Sequence, residues 1–256
     1  MENEVSKALQ QMVPLKALGP DGMPPLFYQH FWSTVDKDVT SSILSWLNSG
    51  TLPHPINHTF ITLILKTDNP EYVYQFRPIS LCNVLYKIFS KVLANWLKKV
   101  LPHIIIEHQS AFTKDRLISN NILVAFETLH CMQRYNLGTS GFMALKLDMS
   151  KSYDPLSPFL FLLCTKRLNG LIKQAKVNGD IHGFSLCRRG PKLTHLLFAD
   201  DSLLFCRAIV EECGHVLDIL KNYEEALGQK VNRDKTSLFF SKSIPNETKS
   251  SIKQAL

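Results

Sequence analysis

Apolar residues recur along the chain at two intervals, and the switch between them predicts its elements. At the 3.6-residue interval, Val84, Ile88, Val92, Trp96, Leu101 and their neighbours outline an amphipathic helix over 84–101 that Pro102 ends, with Lys87, Lys91 and Lys98 on a solvated opposite face. The same interval predicts a short opening helix, a helix through Ile43, Leu44 and Leu47 stopped by Gly50, and one from Ser119 to Tyr135 through Ile122, Leu123, Phe126 and Leu129. Ser157 followed by Pro158 opens a helix through Leu162, Leu168 and Ile172 that dies near Asn178-Gly179, and another spans about Glu211 to Leu227 with Gly228 as its cap. Runs of β-branched and apolar residues without that interval read as strands. Thr59 to Lys66 and Phe76 to Leu81 form a hairpin candidate with Lys66 and Arg77 near its loop, and Phe142 to Asp148 reads as a buried strand ending at an acid.

Composition narrows the class. Of 256 residues, 45% are hydrophobic and 20% charged, with 11 Gly and 13 Pro, a globular rather than disordered, collagenous or disulfide-rich profile. Lys and Arg number 29 against 22 Asp and Glu, a formal charge of +7, which favours polyanionic partners, nucleic acid before a membrane surface. The excess sits at residues 60–120, eight basic against four acidic, and 229–256, six against two. The longest apolar run, Phe159 to Cys164, falls far short of the ~18 residues a membrane-spanning helix needs. The first residues carry acid where a signal peptide carries base, so the expected location is cytosol or nucleus. Six scattered cysteines without a Cys-x-x-Cys pair read as reduced, mostly buried thiols. His54 and His58 have a spacing found in zinc sites, but Pro53 and Pro55 break a helix there and no cysteine pair completes four ligands.

The sharpest chemical signal is Leu196-Leu197-Phe198-Ala199-Asp200-Asp201-Ser202-Leu203-Leu204-Phe205, a tight hairpin with two carboxylates at its tip between apolar strands. Adjacent carboxylates in such surroundings demand a cation, and hard divalent metals with oxygen ligands answer that demand. Asp148, at the end of another strand, is a third acid suited to complete a two-ion cluster, and two ions about 4 Å apart suit in-line displacement at phosphorus. The hairpin alone also reads as an ordinary solvent-exposed Asp-Asp turn. Taken singly, Lys66, Arg77 and Lys235 read as surface cations and Tyr153 as a packing residue.

Together these features resemble a known family. Gly19-Pro20-Asp21-Gly22, Phe76-Arg77-Pro78-Ile79-Ser80-Leu81-Cys82-Asn83-Val84, Gln109-Ser110-Ala111-Phe112, Lys146-Leu147-Asp148-Met149-Ser150-Lys151, Pro155-Leu156-Ser157-Pro158 and the Phe198-Ala199-Asp200-Asp201 box occur in the order seen in reverse transcriptases of plant-type LINE (non-LTR) retrotransposons, over essentially the whole chain. The resemblance implies an α+β fold, a right-hand polymerase with fingers over 1–140 and a palm with a small antiparallel sheet over 141–256. It implies Asp148, Asp200 and Asp201 as the catalytic acids binding two Mg²⁺ ions, or Mn²⁺ in their place. It also implies Lys66, Arg77, Tyr153 and Lys235 as residues that handle the deoxynucleotide triphosphate, Tyr153 packing under its sugar. The implied partners are an RNA template and a DNA primer, with no membrane.

The chain departs from the family pattern at one main place. The long segment that family members carry between the first acid and the Pro-Leu-Ser-Pro helix is missing, and Asp154 runs straight into Pro155, the pattern of an internal deletion. That segment ends in an Arg-Gln-Gly-Asp loop expected to position template and nucleotide, so impaired activity is the expectation. Leu65 also stands where a proline precedes the family lysine, and Ser152 where an alanine precedes Tyr153. On the same comparison the chain opens within the fingers, without an endonuclease domain, and closes with little length for a thumb. Apolar faces on the Ser157 helix and the Asp-Asp hairpin are then expected to lack partners, with poor solubility as the result. The alternative reading is a catalytically inactive retroelement remnant whose basic face binds nucleic acid non-specifically and salt-sensitively.

Overall fold

The computed structural model describes residues 2–105, 118–134, 141–149, 156–187, 190–198 and 201–255. Helices and small antiparallel sheets make an α+β fold, divided into two compact units. The first unit comprises residues 1–100 and 152–159, the second 101–151 and 160–256.

In the first unit, α1 (Glu2–Gln10), α2 (Pro25–His30), α3 (Trp32–Ser49) and the one-turn α4 (His54–Asn57) precede a two-stranded hairpin of β1 (Thr59–Leu65) and β2 (Phe76–Cys82), and α5 (Val84–Ile104, belonging here up to Val100) follows it. Val5, Leu9, Tyr28, Ile43, Ile88 and Val92 form its core, which is why the apolar stripe of α5 keeps a helical interval. The glycine turn has a packing reason: a Cβ at Gly19 would stand 2.5 Å from the carbonyl oxygen of Cys82, so only glycine lets the turn approach the end of β2. Asn83 fastens it there, its Oδ1 accepting the Asp21 N–H at 3.2 Å while its Nδ2 donates to the carbonyl of Pro55 at 3.0 Å.

Three local expectations change. Pro102 lies inside α5, which continues to Ile104; so near the end the ring costs one backbone hydrogen bond and the last turn survives it. Prolines 53 and 55 do not prevent a helix at α4, because they occupy its N-cap and first turn, where backbone N–H groups have no helical partner anyway. The lysine face of α5 is not uniformly solvated: Lys87 is 6% exposed, and its Nζ donates to the carbonyl of Ala17 at 2.8 Å.

Burial holds the Lys87 ammonium below the ordinary lysine range, with Lys16 adding to the effect and Cys82 and Asp21 opposing it. Lys91 is lowered by burial, then by Lys98 and Lys16. A lysine lowered in this way leaves the unfolded chain holding more protons, so its contribution to stability rises with pH. The melting-temperature gap between Lys91→Met and wild type should therefore shift toward wild type from about pH 8 to about pH 10. Differential scanning fluorimetry of the pair reads it, and a gap that stays flat contradicts it.

The second unit is built on a four-stranded antiparallel sheet in the order β4-β5-β3-β6. Its elements are α6 (Ile118–Arg134), β3 (Phe142–Asp148), α7 (Ser157–Asn178, belonging here from Leu160), β4 (His195–Phe198), β5 (Asp201–Arg207), α8 (Val210–Leu227), β6 (Ser237–Phe240) and α9 (Asn246–Ala255). Met143, Leu145, Leu147, Leu197 and Leu204 project from one face of the sheet into a core with Leu168, Ile172, Val216 and Leu220 of α7 and α8. Ala144, Leu196 and Phe205 project from the other face and meet Met132 of α6 and Phe184. Apolar residues on both faces explain why β3 reads as a continuous run rather than an alternating one.

One expectation fails in this unit and one predicted helix proves only partly buried along its apolar stripe. Of the four residues that mark α6 as a helix, Ile122, Leu123 and Phe126 are 54–64% exposed, while Leu129 packs inward beside the buried Thr128 and Met132. The Asp-Asp hairpin and the Ser157 helix do not lack partners, since Leu196, Leu197, Leu204, Phe205, Leu162 and Leu168 are all buried. Exposed apolar side chains of the first unit include a run on β1, at Phe60, Ile61, Leu63, Ile64 and Leu65, with others before α2, such as Leu15, and at Val73 and Tyr74. Among the described residues no helix is long and apolar enough to cross a membrane.

Candidate active site

Strand register brings two of the acids together. β3 and β5 pair antiparallel from Phe142↔Arg207 to Asp148↔Asp201, so the two aspartates stand directly opposite one another at the end of the ladder. Opposite residues of an antiparallel pair project from the same face with Cβ atoms about 4.5–5.5 Å apart. The face is the one that carries Ala144 and Phe205, where Met132 of α6 packs. Side-chain exposure is 19% for Asp148 and 47% for Asp201.

Each carboxylate has a lysine. Lys146, two residues before Asp148 and therefore on the same face, brings its Nζ to 3.3 Å from Asp201 Oδ1. Lys235 brings its Nζ to 3.8 Å from Asp148 Oδ2. It arrives on a short 3-10 turn, Arg233–Lys235, that leads into β6. That approach is fixed by the backbone: the Asn232 N–H donates to the Asp148 carbonyl at 2.8 Å, Met149 and Val231 form a bridge, and the Lys235 N–H closes on the Asn232 carbonyl at 3.2 Å. Two like charges held in register are unfavourable unless cations answer them, and these two lysines supply that answer in the protein alone.

Asp148, Asp201 and Lys235 are thus brought together. Asp200 and Tyr153 lie outside the described residues, as does the Asp154-Pro155 junction. Lys66 and Arg77 belong to the first unit and are exposed on its hairpin. Arg77 pairs across from Ile64, placing it on one face with Lys66, and the Lys66 Nζ donates to the Tyr74 carbonyl at 2.6 Å. Sequence reasoning gave Lys146 no role; its spacing of two from Asp148 in a strand was the available signal. It also passed over Glu127, His130 and Cys131, whose candidate ligand atoms all lie within 4.8 Å of one another. His54 and His58 have ring centroids 6.5 Å apart.

Comparison with known proteins points the same way. The family model described as reverse transcriptase (RNA-dependent DNA polymerase) matches residues 154–253, a span that holds Asp201 and Lys235. The chain is 31% identical over 152 residues, 59% of its length, to the Transposon TX1 uncharacterized 149 kDa protein of Xenopus laevis. It is 49% identical over 49 residues, 19% of its length, to the uncharacterized mitochondrial protein AtMg01250 of Arabidopsis thaliana. The chain spans 11% and 40% of the lengths of these two relatives. The matches support a reverse transcriptase domain of transposon type.

Proposed function

We propose that this chain is the reverse transcriptase domain of a non-LTR retrotransposon, of the plant type, with the second unit as palm and the first as fingers, and that it performs two-metal nucleotidyl transfer weakly. The single observation that carries the reading is the register that sets Asp148 opposite Asp201. The donor set fits the ions: carboxylate oxygens from two rigid neighbouring strands on one face are what Mg²⁺ or Mn²⁺ takes, and Asp200 adjoins Asp201 in the sequence. When bound, such ions activate an attacking hydroxyl and neutralise the leaving oxygen.

The chain's own residues have separate tasks. Asp148 and Asp201 hold negative charge at a fixed spacing, and the Lys146 ammonium keeps Asp201 compensated between turnovers. Lys235, tethered through Asn232, stands ready to meet charge developing on pyrophosphate. Lys66 and Arg77, on one face of the hairpin, hold the triphosphate, where a guanidinium gives paired hydrogen bonds that an ammonium does not. Tyr153 packs under the sugar and favours deoxynucleotides. RNA template and DNA primer are the partners, in keeping with the basic excess. A family match beginning at residue 154, just after the strand that bears Asp148, supports a join at that point, and the lost segment accounts for weak turnover.

The test is extension of a labelled DNA primer on an RNA template by the full chain, with Mg²⁺ or Mn²⁺. Slow, metal-dependent addition of deoxynucleotides is expected. A chain that melts cooperatively, binds the duplex and adds nothing overturns the catalytic reading and leaves the remnant that only binds.

A further inference from the structure

Four lysines of the first unit converge on one cavity. It measures about 170 Å³ and is lined by Gln11, Met12, Val13, Ala94 and Phe159 together with Lys16, Lys87, Lys91 and Lys98. Every one of these residues belongs to that unit. Lys87, Lys91 and Lys98 come from α5 at spacings of four and seven, which stack on one face over three turns. Lys16 comes from the segment between α1 and α2, whose Ala17 carbonyl accepts the Lys87 Nζ at 2.8 Å.

Among the described residues no carboxylate forms an ion pair with them, and Asp21 offsets the charge of Lys87 only in part. Lys99, on the same stretch of α5, pairs with Glu4 at 3.3 Å. Phe159 gives Lys98 a ring 5.5 Å from its Nζ, which stabilises a cation without neutralising it. Like charges gathered in a partly apolar concavity repel, and Lys87 and Lys91, lowered first by burial, are lowered further, Lys87 by Lys16 and Lys91 by Lys98 and then Lys16. Low-dielectric walls focus the resulting field on the space between them.

We infer that this cavity is a binding site for a phosphoryl group, contributed by the backbone of a nucleic acid or by a free phosphate. Size selects the ligand: about 170 Å³ falls below the roughly 300–1,000 Å³ that holds a whole drug-sized molecule, so a phosphodiester link fits and a nucleotide base does not. Chemistry selects it as well, since ammonium groups act as mobile point charges that close on an oxyanion from several sides. The site goes beyond the polymerase reading, because it needs neither the acids of the second unit nor a metal.

The experiment uses the full chain in EDTA, which silences any metal-bridged binding and so separates this site from the proposed catalytic one. Anisotropy of a labelled twelve-nucleotide RNA and calorimetry with inorganic pyrophosphate are measured for wild type, Lys91→Met/Lys98→Met and the control Lys99→Met. The double variant should bind the RNA about tenfold more weakly with a salt slope smaller by about one to two, and Lys99→Met should match wild type. Its melting temperature should equal or exceed that of wild type, since repulsion is removed. Pyrophosphate binding lost in the same variant makes a free phosphoryl group sufficient, while RNA loss without pyrophosphate binding in wild type makes the nucleic-acid backbone the source. Equal RNA affinity and salt slope in wild type and the double variant overturn the site.

Discussion

Asparagine in place of both Asp148 and Asp201 is expected to abolish divalent-ion binding on the four-stranded sheet while leaving the fold standing. The substitution keeps shape and removes charge. Asp201 and Lys146 are both about half exposed, and an exposed pair of that kind contributes only about 0–1 kcal/mol, so the double variant should melt within a few degrees of wild type. Binding behaves differently, because an ion that binds only the folded state stabilises it by about 2.7 kcal/mol at a hundredfold excess over its dissociation constant. Titration with Mn²⁺ should therefore raise the melting temperature of wild type and leave that of the variant unmoved. Primer extension should fall at least about 10³-fold, the scale of losing a main electrostatic stabiliser of the transition state. If the variant takes up Mn²⁺ as wild type does, the acids are not ligands and the two-metal reading is lost.

How far the sequence carries toward this site differs from residue to residue. The strand 142–148 is legible because a run of seven residues ending in an acid, bounded by glycines upstream, has few other readings. Its partner is not, because register depends on contacts that a single strand does not encode. Only the short span between Phe198 and Asp201 constrains pairing locally, and it fixes β4 to β5 rather than β5 to β3. Asp148 at a strand end was a candidate to join the Asp-Asp pair from the residues alone, the family resemblance gave the same set, and the register supplies the geometry. Helix α6 shows the opposite failure. Of its large apolar residues only Leu129 joins Thr128 and Met132 on the buried side, while Ile122, Leu123 and Phe126 stay exposed. A stripe identifies a helix reliably and its buried side less so, since an apolar face can stay unburied within the chain itself. On α5 the spacing of Lys87, Lys91 and Lys98 was plain, but their depth depends on where Lys16 and Ala17 return, some seventy residues earlier in the chain.

Glu212 was passed over altogether, and its removal is expected to be the most damaging single change to stability. In the sequence it is one of two acids, with Glu211, in the first turn of α8, where negative charge favourably meets the helix dipole. In the fold it is only 3% exposed and accepts bonds from remote donors. Its Oε2 takes the backbone N–H groups of His182 at 3.0 Å and Arg207 at 2.9 Å, and its Oε1 meets His182 Nδ1 at 2.8 Å. Arg207 Nε stands 4.0 Å from the same Oε1. One side chain thereby ties the loop after α7, the end of β5 and the start of α8 together. The carboxylate also helps hold the neighbouring Cys206 thiol far above its ordinary range, though burial is the larger cause. Glu212→Ala would strand two part-buried backbone donors and remove the partner of a His182 ring that is one-third exposed, a loss of about 3 kcal/mol, the low end of the scale for broken buried pairs. Against a total stability of about 5–15 kcal/mol, that lowers the melting temperature by roughly 10 °C in a domain of this size. Glu212→Gln keeps one acceptor oxygen and should cost less than half as much, because the His182 ring can present its unprotonated nitrogen to the new amide. Thermal and urea melts of both variants decide the matter. Equal small losses in the two would mean that water satisfies those donors and the carboxylate is not the tie.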